Sequence, residues 1–288
     1  MRRTHPELDR LLKAVRRAPP GPILVLGTVD SGKTTLVQDL AAALVAKGAV
    51  HVAGADMGQA WLGPPTMMGR ARLARAPADW ARLRAERLFF IGDTSPAVDL
   101  AGSVEALARL VSEDIGPRQR VLVDTPGLAI GRLAEAFWKA VARRVGCAAV
   151  IAIQDGPELG PVLAPFGQAG VPIVPCRPAP GVRRRDQEER AVFRQVAYAR
   201  YFRPGRLRWA DRSRVGVEPA AGGLSAVLSP GRLVGLAGGG RDVALAVVRA
   251  VGPRRLGLVT PLVSLAQVDT VRVGALSVDP ATGREARP

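Results

Sequence analysis

Pro22-Ile23-Leu24-Val25-Leu26 runs into Gly27-Thr28-Val29-Asp30-Ser31-Gly32-Lys33-Thr34, and TTLVQDLAAALVAK follows over 34–47. The first run is short and apolar, as a buried strand requires. The last has helical periodicity, with Leu36, Leu40, Ala43 and Leu44 on one stripe. Between them lies a complete G-x-x-x-x-G-K-[ST] phosphate loop. A strand, a glycine-rich loop and a helix N-terminus together turn backbone N–H groups toward an anion. Gly27 and Gly32 are expected to allow the backbone angles this needs. Lys33 is expected at the β- and γ-phosphates, and the Thr34 hydroxyl in a Mg²⁺ shell. Gly27, Thr28, Val29, Asp30, Ser31, Gly32, Lys33, Thr34 and Thr35 form the expected site for a nucleoside triphosphate.

On either side of this unit, strands alternate with helices. A short amphipathic helix is expected over 5–18, ended by Pro19-Pro20. Further strands are expected at 49–53, 88–91, 120–123, 148–153 and 171–174. Helices are expected at 77–87, 97–113 and 132–144, and a Gly/Pro/Met loop extends through Gly69. This alternation predicts an α/β fold: a P-loop NTPase parallel sheet flanked by helices. Ligands bind such sheets at the C-terminal strand ends. Asp56, Gly92-Asp93-Thr94-Ser95-Pro96 and Asp124-Thr125-Pro126-Gly127 all fall at strand ends.

The character changes after residues 177–181. A basic helix with aromatics is expected over about 183–203, stopped by Pro204-Gly205, and short β-rich runs separated by glycines follow from Arg206. The expected domains are 1–205, a P-loop domain including the basic helix, and 206–288, a small β-rich C-terminal domain. The tail after Asp279 is expected to fray.

The chain has 288 residues and a formal charge of +16. Only four of its 41 basic residues are lysines and asparagine is absent, a pattern that a GC-rich genome also produces. Codon bias does not explain the shortage of acids, 25 in all, so the charge points to a polyanionic partner. No uncharged apolar run approaches the ~18 residues of a membrane span, and the N-terminus lacks a secretory signal. Two cysteines without metal or framework spacing, Cys147 and Cys176, fit a reduced cytoplasmic protein. The oligomeric state is not legible.

A carboxylate at Asp56 is placed to accept a proton from an attacking hydroxyl or to hold Mg²⁺ through water; capping a turn is its plain alternative. Asp124 has the position of a Walker B acid. Asp124-Thr125-Pro126-Gly127 also fits the D-x-x-G of GTPases, but a chain without asparagine cannot supply their N-K-x-D guanine reader.

The order of motifs resembles the polynucleotide 5′-hydroxyl kinase family of P-loop proteins, in its shorter prokaryotic form. The phosphate loop through Thr35 is similar to the family's G-x-x-D-x-G-K-[ST]-[ST]. Asp56-Met57-Gly58-Gln59 with Gly63-Pro64-Pro65 resembles D-x-D-x-G-Q…PP, Gly92 to Pro96 resembles G-x-[TS]-S-P, and Asp124 to Gly127 resembles the [ND]-T-x-G clasp. The Arg-rich helix resembles the lid that closes over the phosphates. The run from Gly231 to Leu236, and on through Thr260-Pro261-Leu262, is similar too. Gly54 stands at the first acid of D-x-D, so a base role falls on Asp56. Leu128 stands where some members carry a stacking Trp, and Trp61 is either a substitute or a core residue.

The resemblance implies transfer of the γ-phosphate of ATP, or another NTP, to the 5′-hydroxyl end of RNA or DNA, with Mg²⁺. Lys33, Asp56, Arg185, Arg190 and Arg194 are the implied catalytic residues. Thr34 and Asp56 are the implied metal ligands, and Gln59, Thr94, Ser95, Asp124, Thr125 and Gly127 the implied acceptor-side residues. For the arginines the plain alternative is a solvated basic helix paired with Asp186, Glu188 and Glu189. Two other functions fit the same phosphate loop: a non-catalytic ATP-dependent RNA-processing or nucleic-acid-binding factor, and a small-molecule kinase.

Overall fold

Residues 4–220 and 227–287 are described by the structure, a computed structural model. Leu8–Arg17 forms α1, Gly21–Gly27 β1, Lys33–Leu44 α2 and Val50–Gly54 β2. Met67–Leu73 is β3, Arg87–Phe90 β4, Leu100–Leu110 α3, Arg120–Asp124 β5 and Arg132–Arg144 α4. Ala149–Ile153 is β6, Gly160–Gln168 α5, Ile173–Cys176 β7 and Gln187–Phe202 α6. The remaining strands are β8 (Arg206–Asp211), β9 (Gly216–Pro219), β10 (Arg232–Gly238), β11 (Arg241–Val251), β12 (Arg255–Thr260), β13 (Thr270–Val278) and β14 (Glu285–Ala286). These elements belong to two units, and neither is continuous in sequence. The first comprises 1–56, 69–87 and 103–185; the second comprises 57–68, 88–102 and 186–288.

In the first unit β2, β5, β1, β6 and β7 lie side by side and parallel. Ile23, Leu24, Val25, Leu122, Val123, Val150 and Ile151 are fully buried, the continuous apolar signature of strands covered on both faces. Helix α2 packs on this sheet, and α4 packs against α5. The register places Val25 and Gly54 each opposite Asp124, so β1, β2 and β5 all end at one edge.

Two expectations fail in this unit. The loop expected through Gly69 ends inside a strand, whose residues 69–73 pair antiparallel with β2. Its sequence hides the strand because Arg70 and Arg72 interrupt the apolar pattern. Arg70 is nonetheless 2% exposed, its guanidinium donating to the carbonyls of Leu110 (2.8 Å) and Glu113 (2.6 Å). Residues 77–87 form no α-helix. A single 3-10 turn at Trp80–Arg82 is capped by Asp79, and the chain then extends so that the Glu86 N–H reaches the Arg70 carbonyl at 2.8 Å. Arg87 donates to Glu113 (Nε to Oε2, 3.2 Å), so tertiary ion pairs override local helix propensity here. Helix α5 was not anticipated; its Pro161 sits in the first turn, but Pro165 lies inside it.

The second unit is β-rich, as the C-terminal sequence suggests. β14, β13, β10 and β11 run in that order, with β12 on β11, β8 on β12 and β9 on β13. Leu88 of β4 pairs antiparallel with Asp242 of β11, so the strand expected at 88–91 is not a member of the parallel sheet. Val234, Leu236, Ala246 and Leu258 form one core. A second gathers Tyr198 and Phe202 of α6 with Leu233, Leu245 and Val247. The basic helix belongs to this unit, while Arg183, Arg184 and Arg185 precede it in the first.

The tail does not fray. β14 pairs with β13, and Arg287 donates both guanidinium nitrogens to Asp93, at 2.7 and 3.0 Å. Gly283 lies so close to α6 that a Cβ there would come within 1.9 Å of the Gln195 carbonyl oxygen. Residues 221–226 and 288 of the expected C-terminal domain lie outside the described residues.

Candidate active site

The phosphate loop joins β1 to α2, and its two glycines are required for different reasons. Gly32 has φ +93° and caps α2, a conformation an L side chain resists. Gly27 is needed for space: a Cβ there would lie 2.3 Å from the Ser31 hydroxyl and 3.1 Å from the Ile153 carbonyl. The first turn of α2 has no acidic residue, so nothing on the helix competes with an anion at its N-terminus. Thr35 lies in that turn, half-buried.

Lys33 is 6% exposed, and its Nζ donates to the Thr28 carbonyl at 2.8 Å. Burial lowers its pKa from the usual lysine value, while Asp124, Asp56 and Asp30 pull it back up. A cation in the field of three carboxylates, hydrogen-bonded only to a loop carbonyl, is placed to exchange that carbonyl for a phosphate oxygen. Asp124 ends β5, almost fully buried, and its Oδ2 accepts from the Thr34 hydroxyl at 2.6 Å. The Ala55 N–H donates to the Asp124 carbonyl at 2.8 Å, which holds the backbone leading to Asp56 beside this acid.

The clasp touches the phosphate loop directly. Thr125 is fully buried and its hydroxyl donates to the Val25 carbonyl at 2.7 Å, so this side chain pins the turn and does not reach outward. At Gly127 a Cβ would lie 2.5 Å from Val29 Cγ2 and 2.9 Å from Val29 Cα. Only glycine lets the two loops approach this closely.

Arg185 also binds the phosphate loop. Its backbone N–H and its Nε donate to the two carboxylate oxygens of Asp30, at 2.9 and 3.2 Å. Asp30 has φ +56° and a side chain 2% exposed. The D of G-x-x-D-x-G-K is thus the anchor of an arginine, a role its spacing alone did not reveal.

Gln59, Thr94, Ser95, Arg190 and Arg194 belong to the second unit. Gln59 donates to the Gly58 carbonyl, and Thr94 and Ser95 are half-buried. Their loop is organised by Asp93, fully buried, which accepts the Ser95 N–H at 3.0 Å and the Arg287 fork. The pairing of Asp93 with Arg287 is not legible in the sequence, because 194 residues separate them. Asp186 and Glu189 form a reciprocal capping box at the start of α6, so Asp186 is a cap rather than a side-chain partner of Arg190. Arg194 is tied to Glu285 (Nε to Oε1, 2.8 Å), the two side chains being 17% and 19% exposed.

Residues 27–204 match the P-loop family of the mRNA cleavage and polyadenylation factor CLP1. The chain belongs to the CLP1 P-loop family. The CLP1 assignment covers the phosphate loop, the clasp and α6. Similar proteins include a polyribonucleotide 5′-hydroxyl-kinase of Pyrococcus furiosus, 27% identical over 191 residues, 65% of this chain and 52% of the relative. Another, of Thermococcus kodakarensis, is 28% identical over 201 residues, 69% of this chain and 56% of the relative. The chain thus spans about half the length of these relatives. Among solved structures, Clp1p in a Clp1p–Pcf11p (454–563) complex superposes with a TM-score of 0.72 at 14% identity, over 94% of this chain and 78% of that one. At that identity the likeness is one of CLP1 fold. No helix among the described residues is long and apolar enough to cross a membrane.

Proposed function

We propose that this protein is a polynucleotide 5′-hydroxyl kinase, moving the γ-phosphate of ATP or another nucleoside triphosphate to a nucleic-acid 5′ end. The observation that carries the reading is the joining of Lys33, Thr34, Asp124 and Asp56 at one sheet edge, in a chain similar to named polyribonucleotide 5′-hydroxyl-kinases. In the reaction the 5′-oxygen forms a bond to the γ-phosphorus while the bond to the β–γ bridging oxygen breaks. The 5′-hydroxyl proton passes to Asp56, and the nucleoside diphosphate leaves.

Lys33 and the loop amides hold the phosphates and keep them aligned. The Thr34 hydroxyl and the Asp124 carboxylate would hold Mg²⁺ directly and Asp56 through water, an all-oxygen set of the kind this ion takes. When bound, Mg²⁺ supplies neutralisation of phosphate charge. This reading moves Asp124 from the acceptor side to the metal side, because its carboxylate already engages Thr34.

Arg185, held at the loop by Asp30, and Arg190 are assigned to the charge of the moving phosphoryl group. Arg194, tied to Glu285, is assigned to positioning α6. Gln59, Thr94, Ser95 and the Gly127 clasp are assigned to the acceptor strand. The two free thiols fit a reducing cytoplasm.

The test is transfer of labelled γ-phosphate to matched RNA and DNA oligonucleotides with 5′-hydroxyl or 5′-phosphate ends. Label on the 5′-hydroxyl strands alone is expected. Nucleotide binding without any transfer would make the protein a nucleotide-dependent binding factor and overturn the kinase reading.

A further inference from the structure

One face of β8 and β12 is core, and the other is not. Ala210, Leu256 and Leu258 point into the second unit's apolar cluster. The alternate residues Leu207 and Trp209 are 43% and 52% exposed, on the opposite face. Trp209 pairs with Gly257, and a Cβ there would lie 3.1 Å from Trp209 Cζ3. The indole therefore lies over a glycine, which supports one side of the ring and leaves much of it in solvent.

Basic grooves flank this ring. Val259, paired with Leu207, lines a groove of about 720 Å³ that also contains Arg200 and Arg203. Arg255 lines another of about 700 Å³ with Arg212, Arg254 and its strand partner Asp211, three cations against one acid. The two pairs are four residue steps apart along the strand, roughly 13 Å at the usual rise. From Arg200 to Arg214 the chain carries six arginines against one acid, and from Arg249 to Arg255 three against none. Arg206 and Arg212 donate to the backbone carbonyls of Gly205 and Gly252, which hold the guanidinium groups in place without cancelling their charge.

We propose that this face is a track for a single-stranded nucleic acid, with a base stacked on Trp209 and phosphates on the flanking arginines. The inference rests on the polynucleotide kinase reading and adds a contact surface that lies within the second unit. An exposed ring between cationic grooves suits a strand whose bases are free to stack, since stacking is sequence-tolerant and the backbone supplies the charge. A duplex, its bases already stacked, has nothing to offer the ring.

The experiment compares wild type, W209A and R254Q/R255Q for binding of a single-stranded RNA of about ten nucleotides. It also measures phosphate transfer to a two-nucleotide acceptor too short to span the track. W209A is expected to bind the longer strand about 5- to 100-fold more weakly while keeping wild-type transfer to the short acceptor. R254Q/R255Q is expected to reduce the salt dependence of binding by about two phosphate contacts. Unchanged affinity in W209A, or equal loss of transfer to the short acceptor, would overturn the proposal. If wild type transfers no phosphate but W209A still loses strand binding, the kinase reading fails and the track stands.

Discussion

Lys33 carries its charge at a cost to the free protein. Burial lowers its pKa below the unfolded value, so the charged form destabilises the fold at every pH below the folded pKa. The penalty fades as pH rises toward the unfolded value and is gone above it. Lys33→Met is therefore expected to raise thermal stability near neutrality, by a margin that shrinks as the pH climbs toward the ordinary lysine value and is gone above about 10.5. The same variant should lose phosphate transfer by about 10²–10³-fold. Melting curves across pH, read beside initial rates, check both halves, and a less stable variant at neutral pH would contradict the argument. Asp124 acts through Thr34, whose hydroxyl it accepts. Asp124→Asn should weaken Mg²⁺-nucleotide binding about 10–100-fold, with much less effect on nucleotide measured without the metal. A titration with and without Mg²⁺ decides, and equal losses in both would remove Asp124 from the metal side.

Helix α6 shows what an element can reveal from its sequence and what it cannot. Its basic character and its stop at Pro204-Gly205 are legible, because composition and breakers are local. Its start was not: residues 183–185 were read as helix but precede the Asp186 cap, and Arg185 instead bonds to Asp30, 155 residues earlier. The capping box holds this boundary in place. Asp186→Ala should cost about 1 kcal/mol and loosen the first turn of α6, seen as faster amide exchange at residues 187–190. If Arg190 acts on the phosphoryl group, kcat should fall more than strand affinity in the same variant. The phosphate loop, clasp and strand ends were likewise readable, each resting on one short run of residue types. The strand hidden around Arg70, the lost helix at 77–87 and the true partner of the 88–91 strand were not. Each is decided by ion pairs or ladders between distant segments, such as Arg70 with the carbonyls of α3 and its exit, or Asp242 with Leu88.

Over the whole molecule, the most consequential contact the sequence concealed is that of Arg287 with Asp93. A fully buried carboxylate without its guanidinium is costly, although exposure of Arg287 tempers the loss. Arg287→Ala is expected to destabilise the second unit by about 1–2 kcal/mol. It should also impair kcat with a 5′-hydroxyl strand more than nucleotide binding, since Thr94 and Ser95 follow Asp93 directly. Chemical denaturation and steady-state kinetics test this, and wild-type values in both would reduce the pair to a surface contact.

That pair also bears on how the chain is made. Asp93 leaves the ribosome long before Arg287, and the strands β10 to β14 that complete its unit are synthesised in between. The parallel sheet of the first unit has all its strands once β7 has emerged, so it can consolidate while the second unit's early segments, 57–68 and 88–102, remain without their partners. Contacts at such sequence separation form slowly and leave strand edges open in the meantime. Chains stalled before β10 should therefore expose Asp93 and the edge of β4 to proteases and chaperones, which gives the order of synthesis a direct hand in the yield of folded protein.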